Sequence, residues 1–468
     1  MSGSKQQGDW EATARLLERY DSPGPRYTSY PTAVEFHEGI DAAAYAERLA
    51  LAAAHPDEPL SIYVHLPFCE ERCLFCGCHV IITPHKDRAR PYLELLRREV
   101  DMVAEALGRR RSVSQLHLGG GTPTYHEPEE LRRVLAHILG AFHPTKDAEL
   151  AVEVDPRVTR IEHLDVLAEF GFNRISMGVQ DFTPRVQQAI GRVQSEEATR
   201  TLVEAARERG FKGINIDLIY GLPHQQLESF ARTVDAVIGM EADRCAVYSF
   251  AFVPWIRGHQ KKLIEADLPS RETKFSLFAR AREQFLAAGY RAIGMDHFAR
   301  PDDELAIARE EGRLRRNFQG YTVIPASDVI GVGISAIGDV KGLHVQNEKK
   351  LSRYQAAIEA GRLPVERGVA RTEDDEIRRE VIHELMCNGR VDFARVEERF
   401  GIRFDEYFAR DLAELQEHAD TGMVTISADT IEATPLGELF IRNLARCFDR
   451  YWREKHADGD SPVFSRTV

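Results

Sequence analysis

Six short apolar runs recur along the first half of the chain, at 62–66, 115–118, 150–154, 174–178, 214–218 and 246–250. Stretches with helical periodicity lie between them, at 91–107, 129–141, 195–209 and 228–238. Parallel strands need a crossover, usually helical, so this alternation predicts a parallel sheet with helices outside it. Six units fall short of the eight that close a barrel. The expected fold is therefore α/β, an incomplete (β/α)6 barrel whose open side would admit a large substrate. This barrel is expected over 46–345.

An N-terminal arm is expected over 1–45, because the prolines of RYDSPGPRYTSYPTA (19–33) force extended backbone on their neighbours. A mostly helical, winged-helix-like domain is expected over 346–468, with helices at 374–387, 391–400 and 406–417, strands at 423–426 and 430–433, and a last helix at 436–451. The charged stretch from Asp302 to Arg316 reads as a mostly solvated helix, and VIGVGISAIGDV (329–340) as a glycine-punctuated strand and loop.

A net charge of −13 argues against a nucleic-acid binder, which needs a basic face, and favours a structural or lid role for the C-terminal domain. The opening MSGSKQQGDW has no apolar signal-peptide region, and no apolar run is long enough to span a bilayer. Seven cysteines without a disulfide pattern point to a reducing cytoplasm.

The sharpest chemical signal is four cysteines within ten residues, Cys69, Cys73, Cys76 and Cys78. The first three form C-x3-C-x2-C, a spacing that can hold three irons of a [4Fe–4S] cluster and leave the fourth iron open to a small molecule. A structural zinc site would want a second ligand pair further on, and none follows. Cys245, Cys387 and Cys447 are singletons, expected to be buried small apolar residues.

Ligands of parallel sheets sit at the carboxyl ends of the strands. The cysteine loop follows the first strand and the Gly119–Thr124 run the second. Glu153 and Asp155 end the third, Gln180 and Asp181 follow the fourth, Asp217 ends the fifth and Ala251 follows the sixth. Consecutive glycines let backbone approach a ligand with no Cβ in the way. Asp217 lies between Ile216 and Leu218 and needs a partner. Arg192, if buried, suits a carboxylate.

These residues bring the chain close to a known family. The segments YVHLPFCEERCLFCGC, LHLGGGTPTY, EVDPR, NRISMGVQDF, NIDLIYGLP, GMDHFARPDDELA, RNFQGYT and GVGISAIG, with the proline-rich arm, resemble the radical S-adenosylmethionine enzymes. Within them the chain resembles the oxygen-independent coproporphyrinogen III oxidases (coproporphyrinogen dehydrogenases). The resemblance implies a [4Fe–4S] cluster on Cys69, Cys73 and Cys76, with Cys78 near it but not a ligand. It implies two S-adenosylmethionine molecules. Tyr63, Gly120, Glu153 and Ile337 would contact the one chelated to the open iron. Phe75, Gly121, Thr122, Gln180, Arg192, Asp217 and Ala251 would contact the second.

The implied reaction removes CO2 from two propionates of coproporphyrinogen III, leaving the vinyl groups of protoporphyrinogen IX on the route to heme. A 5′-deoxyadenosyl radical from reductive cleavage of S-adenosylmethionine starts it. A small electron donor such as flavodoxin or ferredoxin would supply the electron, and the family expectation is a cytoplasmic monomer. Arg26, Arg174 and Arg257 are candidates for the substrate carboxylates, and His65 for screening the site or handling a proton. The chain departs from the family at Phe250 and Phe252, the second of which stands where the family has histidine. Two alternatives stay open: a heme-binding chaperone related to this family, and a divergent radical enzyme acting on another substrate.

Overall fold

In the computed structural model, which describes residues 16–456 except positions 18 and 325, all six strands are present and longer than their apolar runs. They are β1 (Leu60–Leu66), β2 (Ser112–Gly120), β3 (His143–Val154), β4 (Arg174–Gln180), β5 (Gly213–Tyr220) and β6 (Arg244–Ser249). Each is parallel to the next, in chain order. The expected outer helices are found at Arg90–Leu107, Pro128–Ala141, Glu196–Glu208 and Leu227–Ile238. The leader segment 1–10 and the end of the expected C-terminal domain, 457–468, lie outside the described residues.

The sheet does not stop at six strands. Val329–Val332 adds to the free edge of β1 in parallel, and Ile337–Val340, Leu343–Asn347 and Val365–Ala370 follow antiparallel. His297–Ala299 and Arg291–Ile293 extend the β6 edge. The result is one open twelve-stranded sheet that continues past position 345. Glycines permit the first of these additions. A Cβ on Gly331 would stand 2.7 Å from the Ile337 carbonyl, and Gly333, at φ +97°, would push one to 2.5 Å from the Tyr92 hydroxyl.

A second core gathers the arm and the C-terminal helices. Leu17, Tyr20, Tyr27 and Tyr30 pack with Ile377, Val381, Leu385, Phe404, Phe408 and Phe448. Arg442 donates to the carbonyls of Gly24 and Pro25, and Asn443 to that of Tyr20. Within the arm stretch a helix already begins at Ala42–Ala53, where the Asp41 carboxylate accepts from the Ala43 and Ala44 N–H groups. The three-stranded sheet of Arg390–Asp392, Thr430–Ala433 and Val424–Ile426 follows the expected order of helices then hairpin. The single helix expected at 436–451 is instead three short pieces, Pro435–Leu439, Ile441–Arg446 and Arg450–His456.

The charged stretch from Asp302 to Arg316 is not a solvated helix. Only Glu304–Glu310 is helical, Leu305, Ala306 and Ala308 are buried, and Arg315–Asn317 forms a hairpin with Gly320–Thr322. Its charges neutralise partners from distant segments. Arg244 on β6 pairs with Asp303 and Glu304, each at 2.9 Å, and Arg309 pairs with Glu438 at 2.7 Å. Buried charges need such partners, and pairing at this sequence distance leaves no local periodicity.

Glu99, 1% exposed, ties the Arg90–Leu107 helix to the sheet extension. Its carboxylate accepts from the Gly333 N–H at 2.7 Å and from Tyr354 and Asn347 at 2.6 Å each. Burial nevertheless pushes the carboxyl up to about 7. The folded state thus holds a proton that the unfolded chain releases above about 4.5, so this group's contribution to stability falls as pH rises towards 7. Relative to wild type, Glu99→Gln should gain stability between pH 4.5 and 7, read from thermal midpoints across that range; a pH-independent difference would contradict this titration.

Candidate active site

The carboxyl ends of β1 and β2 are bound to each other through backbone. The Gly121 N–H donates to the Leu66 carbonyl at 2.8 Å and the Thr122 N–H to that of Phe68 at 2.9 Å. The glycines are required for this approach. A Cβ on Gly121 would lie 2.5 Å from the Pro67 carbonyl carbon, and one on Gly120, at φ +114°, would lie 2.7 Å from the His65 ring. The cysteine loop starts from this junction. It closes where Phe68–Cys69 pairs with Ile81–Ile82, and its tip is held by the Leu74 N–H on the Ile190 carbonyl at 2.9 Å.

Each of the first three thiols faces a hydrogen-bond donor. Cys69 Sγ is 3.5 Å from the Thr122 hydroxyl. Cys73 Sγ is 3.5 Å from Arg157 Nη2 and 3.6 Å from Arg192 Nη1. Cys76 Sγ accepts from the Cys78 N–H at 3.4 Å. Donors of this kind suit thiolates that carry negative charge onto iron. Among the described residues no group of three or more His, Cys, Asp or Glu is gathered tightly enough for a single metal ion. Cys245, Cys387 and Cys447 are buried singletons, as expected.

A cavity of about 420 Å3 lies beside the loop. Tyr63, Gly120, Glu153 and Ile337, which come from four separate strands, all line it, together with His65 and Cys78. Tyr63 Oη is 3.0 Å from His65 Nδ1, and His65 Nε2 is 2.9 Å from the His79 carbonyl. The carbonyl can only accept, so Nε2 carries the proton. Burial pushes His65 down to about 4, which keeps the ring neutral at pH 7. Burial is the largest single influence on Glu153 and works against its charge, but His117, hydrogen-bonded at 3.0 Å, the Gly120 N–H and His65 together outweigh it and hold the carboxyl below the usual range. His117 sits on β2 among apolar neighbours, and nothing in the sequence singled it out.

The second set of expected residues is spread around this cavity rather than gathered in it. Arg192 is buried and already paired, with Asp155 at 2.9 Å and the Gly178 carbonyl at 2.6 Å. Gln180 adopts φ +70°, and its Oε1 is buried without a hydrogen-bond partner among the described residues. That acceptor would be satisfied by a ligand donor. Asp217 accepts from Asn215 at 2.7 Å and Ser176 at 3.1 Å, and burial pushes it up to about 6. It lines a neighbouring cavity of about 130 Å3 that shares Glu153 with the first. Gln260 Nε2 bridges the carbonyls of Phe75 and Ala251, at 3.5 and 3.0 Å. Phe250 and Phe252 join Leu74 and Phe75 in one apolar cluster, so Phe252 packs against the cysteine loop.

The three arginines expected for substrate carboxylates part company. Arg174 is held by Glu149 at 2.6 Å and by Glu304. Arg26 is held by Asp296 at 2.5 Å. Arg257 lines the 420 Å3 cavity and has no carboxylate partner among the described residues. Lys349, which pairs with Glu366 at 2.9 Å, and Arg367, which donates to Gln346 Oε1 at 2.8 Å and has no carboxylate partner among the described residues, line it as well. Both lie in the stretch assigned from sequence to the C-terminal domain, which is why they were missed. Gly121→Ala should cost about 1–3 kcal/mol through forced separation of the two strand ends. Iron content and visible absorbance after reconstitution should fall with it, and full iron loading at wild-type stability would contradict the steric argument.

Two family models match the chain, the radical SAM superfamily over residues 63–237 and the HemN C-terminal domain over 372–440. Among curated relatives, the oxygen-independent coproporphyrinogen III oxidase of Salmonella typhimurium is 46% identical, over 97% of this chain and 98% of its own length. The enzyme of the same name from Pseudomonas aeruginosa is 45% identical, over 94% and 96%. The solved structure of Escherichia coli coproporphyrinogen III oxidase, a radical SAM enzyme, is 45% identical, with a TM-score of 0.88 over 91% of this chain and 97% of that one. A cysteine loop built for a cluster, on an open parallel barrel with this degree of likeness over nearly its full length, places the chain in the family of oxygen-independent coproporphyrinogen III oxidases, radical S-adenosylmethionine oxidoreductases of heme biosynthesis.

Proposed function

We propose that the 420 Å3 cavity is where coproporphyrinogen III loses CO2 from two propionates to give protoporphyrinogen IX. The observation that carries this is the convergence, beside the cysteine loop, of Tyr63, Gly120, Glu153 and Ile337 with three cations, Arg257, Lys349 and Arg367. Cys69, Cys73 and Cys76 hold the cluster, and Cys78 lies beside it. When bound, the cluster and S-adenosylmethionine supply a 5′-deoxyadenosyl radical by one-electron cleavage of a C–S bond.

The chain's own part is binding, orientation and exclusion of water. Tyr63, Gly120, Glu153 and Ile337 hold the S-adenosylmethionine on the cluster. Glu153, kept anionic by His117, accepts from its hydroxyl or amino groups. Phe75, Gly121, Thr122, Gln180, Arg192, Asp217 and Ala251 hold a second molecule. The unpartnered Gln180 oxygen supports this, and Arg192 would share its guanidinium between Asp155 and the ligand carboxylate. Arg257, Lys349 and Arg367 receive propionates, which a charged tetracarboxylate needs in a partly desolvated site. The protein acts as a cytoplasmic monomer fed by a small electron donor of the flavodoxin or ferredoxin kind. No described helix is long and apolar enough to cross a membrane.

Reconstituted anaerobically with reductant, S-adenosylmethionine and coproporphyrinogen III, the protein should release two CO2 and about two 5′-deoxyadenosines per substrate, one radical per propionate. Cleavage without decarboxylation would sink the substrate assignment in favour of a relative with another role. Lys349→Ala and Arg367→Ala should each raise KM for coproporphyrinogen about tenfold or more, the worth of a charged hydrogen bond, while substrate-free cleavage of S-adenosylmethionine stays at wild-type rate. Arg192→Ala should weaken binding of the second S-adenosylmethionine by about 2–5 kcal/mol. Unchanged affinity for two molecules, measured by calorimetry, would remove Arg192 from that site.

A further inference from the structure

The electron that starts this reaction comes from outside, and the surface over the cysteine loop differs from the rest of an acidic chain. The loop tip, Leu74 and Phe75, packs with Val186 and Ile190 of the Pro184–Ile190 helix and with Phe250, Phe252 and Leu263. Segment 250–264 is pinned to the loop from above: His259 Nε2–H donates to the Cys76 carbonyl at 2.9 Å, and Gln260 reaches the Phe75 carbonyl at 3.5 Å. The same segment leaves three large apolar side chains to solvent. Trp255 is 62% exposed, Ile256 52% and Ile264 64%. They are three of only nine large exposed apolar side chains among the described residues, gathered within ten positions.

The charges around them are unbalanced. Lys261 and Lys262 on the segment and Arg72 on the cysteine loop have no carboxylate partner among the described residues. Of the acids flanking the loop, Glu70 lies 3.8 Å from Lys86, and Glu71, which is itself exposed, lies 3.9 Å from Arg157. Of the two acids that follow the segment, Asp267 faces His224 at 3.5 Å, and Glu265 is exposed. A chain of net charge −13 therefore offers free cations around an apolar centre at the place where the cluster's own loop reaches the surface.

We propose that this face docks a small acidic protein that carries a one-electron flavin or iron–sulfur centre, with Trp255 and Ile256 at the middle of the contact and Lys261, Lys262 and Arg72 on its rim. This rests on the radical-enzyme reading above. The reduced carrier is oxidised by one electron and the cluster reduced by one, with no proton crossing the contact. An apolar centre with a charged rim is the ordinary anatomy of a transient interface, and electron-transfer contacts are small. Rim charges set the encounter rate. A second copy seated symmetrically on the face fits it poorly, because Lys261, Lys262 and Arg72 would then meet their own like charges.

The test uses the reconstituted holoenzyme and an acidic flavodoxin as probe. Lys261→Glu/Lys262→Glu and Trp255→Ala should each weaken flavodoxin binding in a titration; the double variant should also slow association at low salt about tenfold or more and lose its salt dependence. Neither should alter the cluster's absorbance or the S-adenosylmethionine cleavage driven by dithionite. Unchanged flavodoxin binding in both variants overturns the proposal. An equal loss with dithionite also overturns it, since the segment would then only support the loop. A sedimentation mass that halves in Trp255→Ala would assign the face to a second copy. No cleavage by wild type with dithionite would instead overturn the radical-enzyme reading, and the docking site with it.

Discussion

Two backbone hydrogen bonds, from the Gly121 and Thr122 N–H groups to the Leu66 and Phe68 carbonyls, fix the start of the cysteine loop to the end of the neighbouring strand. The rest of the site is measured from that junction. The junction exists because positions 120 and 121 have no Cβ. It brings Cys69 to the Thr122 hydroxyl and leaves Gly120 as bare backbone in the cavity wall. A rigid seam at the mouth of a parallel sheet is a sound place for chemistry that tolerates little misplacement.

Electrostatics then sorts the buried polar groups into different tasks. Glu153 stays charged because His117 reaches it, while Asp217 is raised to about 6 with only Asn215 and Ser176 as donors. His65 is neutral although it sits beside Glu153's cavity. Arg174 and Arg244 are committed to Glu149, Asp303 and Glu304, and seal the opposite end of the strands. The cations that line the cavity come from elsewhere: Arg257 has no acid partner among the described residues, while Arg367 and Lys349, the latter paired with Glu366, lie in or beside strands that extend the sheet.

The barrel was legible in sequence because apolar strand-like runs alternate with helical periods at regular spacing. The cysteine spacing and the glycine turn were legible because they are local. What escaped was non-local. The Asp302–Arg316 stretch looks solvated along the chain, since its ion-pair partners lie on β4, β6 and near the C-terminus. The added strands Leu343–Asn347 and Val365–Ala370 are short and antiparallel, and they follow a glycine-rich turn that resembles a linker. Arg26 and Arg174 offered no local sign that acids were already waiting for them, and Lys349 offered none that it would turn to the cavity.

The second core joins residues 17–30 to residues 377–448. Tyr27 donates to Asp449 and Arg442 to Gly24 and Pro25, across more than four hundred positions. During synthesis the barrel strands leave the ribosome in order and can pair as they appear. The arm emerges before all of them; Phe275 and Asp296 meet it midway, but most of its partners, from Ile377 to Asp449, follow only at the end. Assembly of this enzyme is thus timed from its far end: the polypeptide must be almost entirely made before residues 17–30 find most of the partners that hold them.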